Sequence, residues 1–222
     1  MIKRILPYTV ACAEAFRDLP DAILFPGEEA ATRSVVESRR AEFRTVRHCA
    51  RTALGALGLP PVPILPGPRR EPCWPDGIVG SMTHCEGYRA AAVARAADIA
   101  SLGIDAEPHQ ALPDGMLPAV ARPEEIVRLT RLYARSPEVH WDRLTFSAKE
   151  SVYKAWFPLA RRWLDFHDAS LTIDPDRQSF DVSLHHHLPL GGRSLTALSG
   201  RWTVENDLIT TCVVVDPAAT AA

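Results

Sequence analysis

Hydrophobic and polar positions along this chain change period several times, and prolines mark most of the changes. Residues 5 to 25 read as a short extended or mixed segment punctuated at Pro7, Pro20 and Pro26. From Glu28 to Leu57 no proline intervenes and the residues favour helix, with Gly58 and Pro60-Pro61 as a stop, so the pattern predicts one long helix. Seven prolines between 60 and 77 predict an irregular connector. Ile78–Ser81, Arg89–Arg95 and Ala100–Asp105 are short, apolar and bounded by glycine, which reads as three strands, although the alanine-rich middle one suits a helix equally well. A loop follows around Pro108 to Pro118, then a helix near 123 to 134. Ser136-Pro137-Glu138 resembles an N-cap with proline at the first helical position, and a second clear helix occupies about 147 to 157. The tail reads as antiparallel strands at Ser179–Leu184, Ser194–Val204 and Leu208–Val215, separated by Gly191-Gly192 and Asn206-Asp207. Helix, strands, helix, strands is an α+β order that suggests two similar halves.

Composition narrows the classes of function. Among 222 residues, 46% are apolar and 23% charged, which is ordinary globular usage and excludes collagen-like, disordered and coiled-coil chains. A formal net charge of −2 argues against nucleic-acid coating or membrane-surface binding, so any phosphate must be met by a local cluster. Five cysteines without a C-x-x-C indicate neither a disulfide framework nor a structural zinc site. The apolar stretch after Lys3-Arg4 is broken by Pro7 and Glu14 before any signal-peptide core forms, and no run is long enough to span a membrane; a cytoplasmic location is expected. There are 22 arginines against three lysines, Lys3, Lys149 and Lys154. Two of those three share one short segment, which hints at a site wanting a compact point charge.

Four constellations carry chemistry. On the long helix Arg33, Arg40, Arg44, Arg47 and Arg51 form a stripe beside an apolar face of Val36, Phe43, Val46, Ala50, Leu54 and Leu57. This reads as a solvated basic face, except that Arg39 projects in the apolar direction, where a guanidinium requires an anion, either a buried carboxylate or a ligand phosphate. Gly80-Ser81-Met82-Thr83-His84 presents amides, a hydroxyl and an imidazole at a strand end, either a phosphate site or a structural histidine. In Gly103-Ile104-Asp105-Ala106-Glu107-Pro108 two carboxylates share one side of a strand, as a Mg²⁺ site or a solvated acidic turn would. In Phe146-Ser147-Ala148-Lys149-Glu150-Ser151-Val152-Tyr153-Lys154, Ser147 and Glu150 make a capping box and Glu150 and Lys154 a favourable ion pair, while the two lysines remain unexplained.

In their order and spacing, G-S-M-T-H, G-I-D-A-E-P and F-S-A-K-E-S-V-Y-K resemble the three signature motifs of the 4′-phosphopantetheinyl transferase superfamily. With Trp74-Pro75-Asp76-Gly77 upstream and the arginine-rich helix, the chain is most similar to the monomeric type that activates enterobactin and surfactin synthetases. The resemblance implies two pseudo-symmetric α+β halves, 1–103 and 104–222, with coenzyme A in the cleft between them. It implies transfer of phosphopantetheine to a serine of an apo acyl or peptidyl carrier protein, with release of adenosine 3′,5′-bisphosphate. By the same resemblance Asp105, Glu107 and Glu150 hold Mg²⁺, Glu150 is the general base, Lys149 and Lys154 bind phosphates, and Lys154 is counted with Glu150 as catalytic. Arg39, Arg47, Thr83 and His84 then meet the 3′-phosphate and adenine end. Arg69-Arg70 stands near where some relatives carry a lysine, and Arg40 is an open choice beside Arg39.

Acidic strand ends and basic helices also serve Mg²⁺-dependent phosphohydrolases and nucleotidyl transferases, and a non-catalytic nucleotide-binding protein is a third reading. An acidic carrier calls for a dock with an apolar patch and scattered positive charge. Leu112 and Leu117, with Trp156, Phe157 and Leu159 before Arg161-Arg162, are expected to form it.

Overall fold

The computed structural model describes residues 1–190 and 193–217, with the side chains of 187–190 and 193 left aside. Gly191-Gly192, expected to separate two tail strands, lies outside the described residues. The chain is α+β. A first lobe comprises β1 (Ala11–Ala15), α1 (Pro26–Ala31), α2 (Glu37–Ala56), β2 (Ile78–Cys85) and β3 (Tyr88–Arg95). A second comprises β4 (Ser101–Pro108), α3 (Leu117–Val120), α4 (Pro123–Arg135), α5 (Trp141–Ala160), β5 (Ala169–Asp174), β6 (Ser179–Leu190), β7 (Arg193–Glu205) and β8 (Leu208–Val215). Their antiparallel sheets have the orders β1-β3-β2 and β4-β8-β7-β6-β5, and each carries a 20-residue helix, α2 or α5, packed on it. The line drawn between 103 and 104 falls inside β4, all of which pairs with β8.

The expected single helix over 28–57 is two. Thr32 turns its hydroxyl back onto the carbonyls of Glu28 and Glu29, ending α1, and α2 restarts after Val36, whose backbone is extended. A Thr-Arg-Ser-Val-Val run supplies hydroxyls that compete for backbone groups and branched side chains that resist helix, which is the physical reason for the break. α5 is longer than predicted. Ser136 closes the end of α4 by donating its amide to the Leu132 carbonyl instead of starting a helix, and Asp142 locks the first turn of α5 by accepting from the Leu112 amide and the Tyr133 hydroxyl. Ser147 is therefore interior and no cap; it and Ser151 bond Thr211 of β8.

The alanine run settles as strand because both of its faces are covered at short range. Ala91 and Val93 pack toward α2, whereas Ala90, Ala92 and Ala94 meet Leu102, Ile104 and Ala106 of the second lobe. The Asn206-Asp207 turn has positive φ at both residues (53° and 57°), matching the twist of the hairpin it closes.

The lobes are joined by hydroxyls where a ladder would otherwise run. Ser81 Oγ accepts the Ile104 amide and Thr83 Oγ1 the Ala106 amide, each at 3.0 Å, which pins β4 beside β2. On the other side of β4, Gly103 lies directly under α5: a Cβ there would stand 2.0 Å from the Ser151 carbonyl oxygen. Gly103→Ala is expected to destabilise the fold by about 1–3 kcal/mol through overpacking and to displace α5. Denaturant unfolding, with activity measured on the fraction still folded, checks both effects.

Candidate active site

Residues 103, 105 and 107 share the face of β4 that α5 covers, so the approach at Gly103 sets Asp105 and Glu107 against the α5 positions one turn on. Asp105 is 4% exposed. Its Oδ1 accepts from Lys154 Nζ at 2.7 Å and Thr83 Oγ1 at 3.2 Å, while Oδ2 is buried with no hydrogen-bond partner among the described residues. Glu107 is paired with Arg143 at 3.0 Å. Burial, with Asp105 adding to it, pushes the Glu107 carboxyl up to about 7 against the pull of Arg143. Glu150 is half-buried and makes no hydrogen bond or ion pair with other described residues; burial raises its pKa, opposed by Lys154 and reinforced by Asp105. The Asp105 charge thus disfavours ionisation of both Glu107 and Glu150 in a partly dry site.

The opposite wall comes from the first lobe. Arg39 Nη1 contacts His84 Nε2 at 2.5 Å and Glu42 at 2.9 Å, and Glu42 lies 3.5 Å from the buried Arg89. Burial and the Arg39 charge lower the His84 pKa to about 4 against Glu42, with Lys154 of the other lobe also contributing. On the same helix, Arg40 Nε and Arg44 Nε are buried without hydrogen-bond partners among the described residues, while Arg44 Nη1 stands 3.9 Å from Glu37.

The structure redistributes several expected residues. Arg39 does not enter the core: its side chain is 59% exposed, in reach of an anion in the cleft. Thr83 does not stand with His84, because the motif lies within β2 and alternate side chains leave opposite faces; Thr83 points to Asp105 instead. Arg47 is buried against the Phe43 ring, donates to the Ile64 carbonyl, and burial lowers its pKa to about 10. It is a core cation apart from His84. Lys149 is 3% exposed and spends its three donors on Glu125 (2.7 Å) and the carbonyls of Val120 and Phe166, leaving none for a phosphate. Leu112, Trp156 and Phe157 are buried and belong to no surface patch, while Leu117 is half-buried. Of the histidine run, His185 bonds Ser170 and His186 bonds Asp168; the side chain of His187 lies outside the described residues.

Sequence reasoning missed Arg143, Glu42 and Arg89. Arg143 lies seven residues before Glu150, two turns along one helix face, a relation hidden once the helix is begun at 147. Glu42, three residues after Arg39, carried a signal as an i, i+3 partner. Arg89 carried none.

Two family models divide the chain as the lobes do. Residues 27–94 match the 4′-phosphopantetheinyl transferase N-terminal domain and residues 101–204 the 4′-phosphopantetheinyl transferase superfamily. The chain belongs to that superfamily. It is 55% identical to the 4′-phosphopantetheinyl transferase Svp of Streptomyces mobaraensis over all of this chain and 92% of that protein. It is 47% identical to PptT of Mycobacterium tuberculosis over 96% of this chain and 97% of the relative, and 44% identical to Npt of Nocardia iowensis over 96% and 99%. These full-length likenesses support transfer of phosphopantetheine to carrier proteins and retire the phosphohydrolase and non-catalytic readings.

Within the transferase, Lys149 and Lys154 have separate duties despite standing in one motif. Lys149→Met is expected to cost about 3–5 kcal/mol, because it leaves Glu125 buried and unpaired. Equilibrium unfolding of the variant checks this, and unchanged stability with weaker coenzyme A binding would return Lys149 to the phosphates.

Proposed function

We propose that the cleft between the lobes binds coenzyme A, with its 3′-phosphate on Arg39 and His84 and its pyrophosphate at Lys154, and passes the phosphopantetheine group to a carrier serine. The observation that carries the reading is the Asp105–Glu107–Glu150 set, with its partnerless Asp105 Oδ2, facing the Arg39–His84 pair. Arg40, next to Arg39 on α2 and with its Nε unpartnered among the described residues, is an added candidate for the phosphate.

Among the described residues no three His, Cys, Asp or Glu side chains already converge on a metal position. The donor chemistry nevertheless fits a hard divalent cation: oxygen ligands, one buried orphan oxygen, and carboxylates whose charged forms disfavour one another. Asp105, Glu107 and Glu150 would hold Mg²⁺, which when bound supplies positive charge against the pyrophosphate. The residues do the rest. Lys154 orients Asp105 and offers its ammonium to the phosphoryl group in transfer. Glu150, without a competing partner, takes the proton of the serine hydroxyl. The serine oxygen bonds to the phosphorus bearing the pantetheine, the anhydride bond to the adenylate side breaks, and adenosine 3′,5′-bisphosphate leaves with that electron pair.

The wider setting follows from the same features. The enzyme is taken to act as a monomer in the cytoplasm, where its five free thiols stay reduced. Among the described residues no helix is long and apolar enough to cross a membrane.

Asp105→Asn and Glu150→Gln preserve shape and are expected to lower transfer by at least ~100-fold, scored by the mass increase of an apo carrier protein. Asparagine is preferred to alanine at 105 because this side chain also anchors Thr83 and Lys154. A chelator is expected to stop the reaction and added Mg²⁺ to restore it; full turnover under chelation would remove the metal assignment.

His84 provides a pH signature. With its pKa near 4 it is neutral in the free enzyme at pH 6, and a phosphate dianion beside it raises that value. Coenzyme A binding at pH 6 is therefore expected to take up more protons in the parent enzyme than in His84→Gln, with no such difference for dephospho-coenzyme A, since Glu107 and the pyrophosphate contribute alike to both proteins. Calorimetry in two buffers of different ionisation enthalpy measures the uptake, and equal uptake by the two proteins would remove His84 from the 3′-phosphate.

A further inference from the structure

β5 is an edge strand of the five-stranded sheet, and α4 runs beside it without closing the gap. Between them is a cleft of about 290 Å³ whose lining includes Arg128, Leu129, Arg131, Leu132 and Ile173. At its inner end α4 saturates the edge. The Leu171 amide donates to Glu125 Oε1 at 2.7 Å, and the Leu171 carbonyl accepts from Arg128 Nη2 at 2.9 Å. Leu171 therefore turns both backbone groups away from β6. Backbone groups two residues apart point the same way, and β5 pairs with β6 without a register shift, so Ile173 presents its amide and carbonyl along the same open edge. Neither has a side-chain partner among the described residues.

Arginines predominate beside this edge, with Glu124 in electrostatic reach of Arg128, and Asp174 and Asp176 held by Arg177 and Arg135. Arg131 is exposed and makes no ion pair among the described residues, and Arg128 Nε is buried without a partner. Arg135 is taken by Asp176 and Glu125 by Lys149. Leu129, Leu132 and Ile173 supply an apolar floor. An amide donor and a carbonyl acceptor in strand geometry, the exposed Arg131 guanidinium with Arg128 beside it, and an apolar floor match the chemistry of an extended peptide carrying carboxylates.

We propose that this cleft is a peptide-binding site in which an extended acidic segment of a partner protein adds beside Ile173 as a short further strand, with a carboxylate on Arg131 and Arg128. The site uses none of the residues assigned to coenzyme A or to the carrier serine, and it stands or falls independently of that reading.

The test titrates the full-length ¹⁵N-labelled protein with end-blocked pentapeptides, Glu-Val-Glu-Val-Glu, its Lys-Val-Lys-Val-Lys counterpart, and the acidic peptide N-methylated at its central residue. The acidic peptide is expected to shift the Ile173 amide saturably, with affinity falling as salt rises. The basic and N-methylated peptides should bind at least ~10-fold more weakly, as should the acidic peptide to Arg131→Glu, whose transferase activity stays unchanged. No saturable shift at Ile173, equal affinity for acidic and basic peptides, or undiminished binding to Arg131→Glu would overturn the proposal. Equal binding of the N-methylated peptide, or the same shifts from acetate alone, would overturn strand addition.

Discussion

The arrangement of the whole cleft depends on how closely α5 lies on β4. At Gly103 the helix backbone occupies the space where any side chain would begin, with the Ser151 carbonyl 2.0 Å from the position of a Cβ. That contact brings the Lys154 ammonium to 2.7 Å from Asp105 and sets Glu150 beside the same carboxylate. One residue along the strand, Ile104 faces the other way and packs against the alanines of β3. A single extended segment thus transmits position from α5 on one face to the first lobe on the other. Because side-chain direction alternates along a strand, shifting β4 by one residue would send its carboxylates into the apolar interface.

The second lobe is registered to the first by hydroxyls. Ser81 and Thr83 accept amides of β4, and Thr83 also donates to Asp105. A hydroxyl accepts and donates at once, so Thr83 satisfies a β4 amide and orients a site carboxylate with one atom. Ser147 and Ser151 repeat the device against Thr211 on the far side of β4. Alanines of β3 complete the junction, since larger side chains on a strand covered on both faces would push the lobes apart.

Buried charge serves two purposes here, and helical geometry separates them. Five residues turn a helix by about 500°, so Lys149 and Lys154 leave α5 roughly 140° apart. Lys149 enters the core and is closed by Glu125 and two carbonyls, as Arg51 is closed by Glu28 in the first lobe. Such pairs hold elements in register and leave no donor for a ligand. Lys154 and Glu150, four apart on one face, look into the cleft, where satisfaction is incomplete: Asp105 keeps an orphan oxygen and Glu150 has no hydrogen-bond partner among the described residues. Incomplete satisfaction is what distinguishes the site from the core.

The sequence by itself determined the α+β order, most strand positions, the proline-rich connector and the family, because alternation, glycine and proline act over a few residues and the three motifs stand in a recognisable order and spacing. It placed Asp105 and Glu107 on one side of a strand and Glu150 with Lys154 on one helix face, both consequences of local period. It could not separate Lys149 from Lys154, since that depends on which face of α5 the sheet covers, and the covered face follows from Gly103 and Thr211, far away in sequence. Nor could it find the start of α5 at Trp141, or the partners Arg143 and Arg89. Each of these is decided by a contact with a distant segment, and a hydrogen bond or ion pair across tens of residues leaves no periodic mark in the chain that makes it.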